Sequence, residues 1–406
     1  MADPSRVLLG LGGCVDYELK LTAAVLEKLI VDHGIVAAEL TSPAPGSGWV
    51  ASERDLVVSI LGYVARGGGG EHYVASAPAL STFADRFPHR QTLGGTSVRA
   101  GILMSRLGVP STLHLVTVND TFRRLLPPGT EYITSGAGDT FYPHLIVQYD
   151  QGLWIRANDI DIHAPYPNRL IYVNDPANGD MRLTDDLGDR LGKAGVFLIS
   201  GFNAMRDRAE LDVRLAALRE HMRQLPDDAV TYFEDAAYHE PAFSARVREA
   251  LLDRIDVYGL NEDELQAYLG RPVDLLDAAD VADALTAVHA LIPVPTLVLH
   301  TKYWALALGA GDDAGDHAGA LDTGTVMAAA RYVHGDDFTD ADVARLRSLP
   351  RRPESVAFAA ALRARLGDAV HCVAGFALDV PDPTTVGLGD TFVGGFLASV
   401  AKKGLS

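Results

Sequence analysis

Apolar residues come along this chain in short runs, separated by longer stretches of helical spacing. Arg6-Val7-Leu8-Leu9-Gly10-Leu11 is the first run compact enough for a buried strand, and 196–200, 230–233, 257–260 and 296–300 repeat it. Between and after them, 98–107, 211–222, 242–252, 280–291 and 353–366 carry apolar residues three and four apart, which predicts amphipathic helices. Strand followed by helix through the whole second half predicts an α/β fold around a mostly parallel sheet.

The region 130–163 has a different pattern. His144-Leu145-Ile146-Val147-Gln148-Tyr149 and Leu153-Trp154-Ile155 flank Asp150-Gln151-Gly152, which predicts a hairpin with a glycine-containing turn. Antiparallel strands inside an α/β chain suggest a small second sheet, to which 16–66 contributes. The expected organisation is a large α/β domain from 1–15, 67–129 and 164–406, and a small discontinuous, mainly β lid from 16–66 and 130–163, with a cleft between them. The glycine run at 65–70 and the Gly- and Asp-rich stretch at 309–324 read as surface loops.

Composition narrows the function. The chain has 406 residues, 48% hydrophobic and 22% charged, enough apolar material for a sizeable core. Its formal charge of −18 opposes general binding to nucleic acid or an anionic membrane, since like charges repel. No long uncharged apolar run suggests a membrane span. Residues 1–6 lack the apolar core of a secretion signal, and Cys14 and Cys372 match no metal or redox spacing, so a reducing, cytoplasmic location is expected.

The candidate chemistry is concentrated in a few glycine-rich and acidic turns. In Thr385-Val386-Gly387-Leu388-Gly389-Asp390-Thr391, the glycines allow a tight turn with exposed amides, and the small and apolar residues that follow suit a buried helix. Amides at a helix N-terminus make an anion hole for a transferring phosphoryl group, and Asp390 beside it could take the proton of an attacking hydroxyl. Ser135-Gly136-Ala137-Gly138-Asp139-Thr140 matches the same short pattern, but Tyr142-Pro143 and a strand follow it, so Asp139 is expected to be a turn residue. After a core strand, Asn261 and Glu264 lie three apart at the opening of a helix. They could hold Mg²⁺ through its waters, or simply cap the helix. Glu234 ends another strand, where parallel-sheet enzymes place ligands. Asp16 follows Gly12-Gly13-Cys14-Val15 and could accept from polyol hydroxyls, while Gly94-Gly95-Thr96 precedes a helix and could offer amides to a substrate.

In order and separation these motifs resemble the ribokinase-like superfamily, and more narrowly the ADP-dependent glucokinase and phosphofructokinase family. The residues that carry the likeness are Gly13-Cys14-Val15-Asp16, Gly94-Gly95-Thr96-Ser97, Ser200-Gly201-Phe202-Asn203, Tyr232-Phe233-Glu234, Gly259-Leu260-Asn261-Glu262-Asp263-Glu264, His300-Thr301-Lys302-Tyr303 and Val386-Gly387-Leu388-Gly389-Asp390-Thr391. The resemblance implies a ribokinase-like three-layer sandwich with a small lid, and a Mg²⁺-dependent transfer from ADP to a sugar-like hydroxyl. Asp390 would be the base, with Gly387, Leu388 and Gly389 in the anion hole. Glu234, Glu264 and Asn261 would organise the metal. Asp16, Gly94, Gly95, Thr96 and Arg206 would meet the acceptor or its phosphates, and Asn261, His300, Thr301, Val386 and Thr391 the nucleotide. The partners implied are a sugar-like small molecule and a nucleotide; an ATP-using relative and an inert binding protein on the same fold are the rival readings. Cys14 stands where the family has Asn, Thr96-Ser97 where it has an amide and a small residue, and Tyr232 where it has His. The first two departures predict an acceptor other than glucose or fructose 6-phosphate.

Overall fold

The computed structural model describes residues 3–40, 50–309, 317–380 and 383–403. Its larger sheet has nine strands in the order β6 (Glu131–Thr134), β5 (Ser111–Leu115), β1 (Asp3–Leu9), β11 (Ala194–Ile199), β12 (Val230–Glu234), β13 (Val257–Asn261), β14 (Thr296–His300), β15 (Trp304–Gly309) and β16 (Val370–Ala374). Only β15 runs against the rest. Alternate residues of each strand enter different cores. Leu8 and Phe197 pack with the helices Arg208–His221, Ala242–Leu251 and Ala278–Leu291. Val7, Leu9 and Leu198 pack with Thr96–Arg106 and Leu388–Lys403. Both faces are covered, which is why the strands read as unbroken apolar runs. The result is the expected three-layer α/β sandwich with a mostly parallel central sheet.

A second sheet has the order β3 (Gly70–Tyr73), β10 (Asn168–Val173), β7 (His144–Tyr149), β2 (Cys14–Lys20) and β4 (His89–Gly94). Tyr17, Leu19, Leu145, Val147, Leu170 and Tyr172 point to one side, into a core shared with the helices Ala23–His33, Glu53–Val64 and Ala77–Ala84. Cross-strand register then assigns the other face: Asp16 pairs with His144 and Thr92, and the row beside it links Glu18, Ile146, Ile171 and Glu71. This polar face is the one turned away from the lid's own core.

Three expectations need correction. The lid boundaries differ, because β3 and β4 pair within the smaller sheet, whereas Glu131–Thr134 extends the larger one beside β5; the three helices also make the lid α+β rather than mainly β. The strand His144–Tyr149 does not pair with its successor. Instead β8 (Trp154–Ala157) and β9 (Ile160–His163) form the hairpin, whose turn has Asn158 at φ 52, a conformation asparagine tolerates well. Finally, part of 309–324 is not a loop: the helix Ala318–His334 begins there, and 310–316 lie outside the described residues. Its glycine serves packing, since a β-carbon at Gly324 would lie 2.7 Å from the Phe392 ring.

Candidate active site

The site forms where the parallel strands end and the lid sheet begins. Strand β4 ends at Gly94, and Gly95, at φ 92, opens the helix Thr96–Arg106. Both glycines answer to close approaches. A side chain on Gly94 would overlap the Asp16 carboxylate, and one on Gly95 would come within 3.1 Å of the Gly13 backbone. Ser97 fixes the same turn by donating to the Gly12 carbonyl at 2.7 Å.

Opposite stands the N-terminus of Leu388–Lys403, with Asp390 in its first turn. Gly387 takes φ 71, and a β-carbon there would sit 2.6 Å from Arg99 Cδ. Thr391 Oγ1 donates back to the Gly387 carbonyl at 2.8 Å, and the Val386 carbonyl accepts from Arg331 Nε at 2.7 Å. These two residues therefore hold the turn's shape, while Leu388 and Gly389 remain partly exposed. Asp390 Oδ1 accepts from the Thr96 hydroxyl at 2.8 Å, and its Oδ2 lies 3.6 Å from Arg99 Nε.

Arg99 ties the two sides together. Its side chain is only 4% exposed, and Nη2 reaches Asp16 Oδ2 at 3.0 Å and Glu18 Oε1 at 3.5 Å. Burial works against its charge, but Asp16, Asp390 and Glu18 outweigh that and raise its pKa. Burial also pushes the Asp16 carboxyl up, with Arg99 and His144 pulling the other way. One guanidinium thus organises three carboxylates, and Asp16 and Asp390 are held in fixed relation.

A second cluster lies at the ends of β12, β13 and β14. His300 Nε2 is 2.8 Å from Glu234 Oε1, and the Tyr232 hydroxyl donates to Glu234 Oε2 at 3.2 Å. Asn261 caps its helix by accepting from the amides of Asp263 and Glu264, and Glu264 Oε2 accepts from the Asn261 amide at 2.8 Å. Burial pushes the Glu264 carboxyl up to about 8, and repulsion from Asp235 and Glu234 adds to it. Burial opposes a charge on His300, yet Glu234, Glu264 and Glu262 outweigh it and raise its pKa. A β-carbon at Gly389 would lie 3.1 Å from His300 Cε1, so this acidic cluster adjoins the Gly387 turn.

Other sequence candidates find different settings. The Thr301 hydroxyl is spent in the β14–β15 turn, accepting from the amides of Tyr303 and Trp304. Arg206 lies over the Tyr73 ring, 3.7 Å from its centroid, with Nε 3.8 Å from Glu240. It therefore bridges from the large domain to the lid, as does His239, 3.2 Å from Glu71. Asp139 is paired with Arg123 at 2.7 and 2.8 Å, and no helix follows it.

Sequence reasoning missed Arg99, Arg331 and His144. Arg99 had a signal: it follows Thr96 by three residues on a helix, so the two share a face beside the Gly-Gly turn. Arg331 sits on the helix whose start was read as a loop. His144 was read only as the first residue of a hairpin strand, although strand alternation placed it on a polar face.

A helix N-terminus bearing a carboxylate thus faces a second, buried carboxylate across Arg99 in a three-layer α/β fold. Residues 5–398 match the model of the ADP-specific phosphofructokinase/glucokinase conserved region, and the chain belongs to this family of ADP-dependent sugar kinases. Among solved structures, it is similar to a hypothetical ADP-dependent phosphofructokinase from Pyrococcus horikoshii OT3, at 17% identity over 99% of both chains with a TM-score of 0.75. It is also similar to a phosphofructokinase from the same organism with AMP, at 17% identity over 98% of both chains and a TM-score of 0.75. A third is an ADP-dependent kinase in complex with fructose-6-phosphate and ADPβS, at 13% identity over 98% of this chain and 94% of that one, with a TM-score of 0.73. At such identities these structures speak for the fold. No curated protein matches the sequence.

Proposed function

We propose that this kinase moves the terminal phosphoryl group of ADP to a hydroxyl of a sugar or sugar-like acceptor held by Asp16 and the Gly94-Gly95 turn together. The observation that carries this reading is the Thr96–Asp390–Arg99–Asp16 chain, which sets a carboxylate at a helix N-terminus at a fixed position relative to a second carboxylate suited to hydroxyls. Asp390 takes the proton as the acceptor oxygen bonds to phosphorus, and AMP departs with the electrons of the broken bond. The amides of 387–390 face the negative charge that gathers on the phosphoryl oxygens. Arg99 is a positioning residue, because its guanidinium is committed to protein carboxylates.

Mg²⁺ fits the second cluster. Glu264 and Asn261 meet at the opening of one helix, Glu234 ends the neighbouring strand and repels Glu264, and a carboxyl raised to about 8 by burial and neighbouring acids is one that a cation would stabilise in its charged form. Since these oxygens already serve His300 and the helix cap, they would hold the ion through water. When bound, it would neutralise charge on the nucleotide phosphates. His300, Val386 and Thr391 would border the nucleotide.

The test is nucleotide consumption with ADP or ATP, each with Mg²⁺, across hexoses, pentoses, sugar phosphates, nucleosides and cyclitols. AMP formed from ADP with one acceptor class supports the reading. Turnover with ATP alone would overturn the donor, and an Asp390→Asn protein as active as the parent would overturn the mechanism.

A further inference from the structure

At the proposed acceptor position, the lid sheet brings Cys14 and His144, to which the reading above gives no part, against Asp16, to which it gives the acceptor. The thiol of Cys14, the carboxylate of Asp16 and a ring nitrogen of His144 lie within 4.8 Å of one another. Cys14 and Asp16 are buried, and His144 is half-buried. Strand geometry makes this no accident of flexible side chains: Cys14 and Asp16 are two apart on β2, hence on one face, and His144 is the direct cross-strand partner of Asp16 on β7.

We propose that Cys14, Asp16 and His144 form a binding site for a thiophilic divalent ion of the Zn²⁺ class, and that its occupation blocks the acceptor position. Thiolate and imidazole together select Zn²⁺, Co²⁺ or Cd²⁺ over Mg²⁺, which prefers oxygen and its own waters. The charges close, since one thiolate and one carboxylate neutralise the ion. Asp16 can serve without leaving Arg99: Oδ2 holds the guanidinium at 3.0 Å, while Oδ1 is the oxygen 3.1 Å from Cys14 Sγ. Binding replaces the thiol proton by the metal and releases that proton to solvent.

The surroundings are built to hold these ligands. Asp175 Oδ2 lies 3.3 Å from His144 Nε2 and fixes the ring. Asn178 accepts from the Gly13 amide at 3.2 Å and donates to the Gly13 carbonyl at 3.0 Å, pinning the backbone next to Cys14, and donates to Asp175 as well. Outer partners of this kind orient metal ligands. Three protein ligands leave a fourth position open. An ion here engages the oxygen through which Asp16 would meet an acceptor hydroxyl; this second half of the proposal rests on the kinase reading above.

The experiment titrates the metal-stripped, reduced full-length protein with Co²⁺ and follows the thiolate-to-cobalt charge-transfer band and proton release. The expected result is a band with one equivalent of Co²⁺, displaced by Zn²⁺, absent in Cys14→Ser and retained in Cys372→Ser, which alters the other cysteine. His144→Gln, at a half-buried position, should keep the fold and weaken Co²⁺ about tenfold or more; Asp175→Asn should weaken it about 10–100-fold. A missing band in the folded parent protein, or an unchanged one in Cys14→Ser, overturns the site. In the assay Zn²⁺ should raise the acceptor KM and leave the ADP KM unchanged; the reverse overturns the blockade. Because the spectrum needs no turnover, an inactive preparation counts against the kinase reading and leaves the metal site to be judged by its band.

Discussion

Asp390 and Asp139 sit in nearly the same short sequence, and their surroundings separate them. Asp390 has a helix behind it, a hydroxyl donor in Thr96 and an arginine beside it; Asp139 is half exposed and closed by Arg123. Asp390→Asn keeps an oxygen for Thr96, so the fold should stand while kcat falls by about 10²–10⁴-fold. Asp139→Asn should leave kcat and KM within about twofold, since an exposed ion pair contributes little. Glu264 gives a pH prediction. Its folded pKa is about 8 against an ordinary 4.5, so the folded chain binds the extra proton, and stability falls as pH rises from about 4.5 through about 8. The raised pKa of His300 acts in the same direction. Glu264→Gln preserves the capping oxygen and removes the titration, so the slope of Tm against pH should flatten in thermal unfolding. Only the family resemblance drew Asp16, Glu234, Asn261 and Asp390 into one group; in the structure Asp16 and Asp390 meet at Arg99, while Glu234 and Asn261 lie at the ends of β12 and β13. Arg99 was less legible, because an arginine on an otherwise apolar helix face is meaningful only once three carboxylates from distant strands and loops are known to converge on it.

Among the elements, those recognised from sequence are the strands covered on both faces and the helices that bury one face against them. The strand Thr296–His300 and the helix Pro353–Leu366 fall where the apolar pattern sets them, because burial and pattern there have one cause. The failures share a cause too. The hairpin at 150–152 looked right locally, yet His144–Tyr149 pairs with β2, far away in sequence, and with β10, which follows the β8–β9 hairpin. Glycine misled the reading of 309–324, since Gly324 provides room for Phe392 instead of a bend. Gly324→Ala therefore brings a methyl group against a ring that cannot retreat from its own helix. The expected cost is about 1–3 kcal/mol, visible as a lower Tm by calorimetry. As the same helix presents Asp390, a rise in KM for both substrates should accompany it.

At the level of the whole molecule, two side-chain contacts join the smaller sheet to the rest of the chain. Arg206 lies over Tyr73, and His239 meets Glu71, each pair joining the two parts across the cleft. The resemblance sets Arg206 near phosphates; its place over Tyr73 leads us to expect that it also holds the two parts together. Arg206→Ala should enlarge the radius of gyration in solution scattering and raise the acceptor KM several-fold, with the nucleotide KM nearly unchanged. An unchanged radius with a raised nucleotide KM would leave only the phosphate role. Among the described residues, no helix is long and apolar enough to cross a membrane.

The contact between Thr96 and Asp390 joins residues 294 positions apart, and Asp16 is farther still from its counterpart across Arg99. For a chain made from one end at about 5–20 residues per second, Asp16 emerges roughly 20–75 s before Asp390 does. During that interval β2 can already pair with β4 and then β7, so the smaller sheet has these partners long before Asp390 is made. With Asp390 as the proposed base, a chain released before that residue would carry Asp16 with no carboxylate opposite it, and is expected to leave ADP unspent.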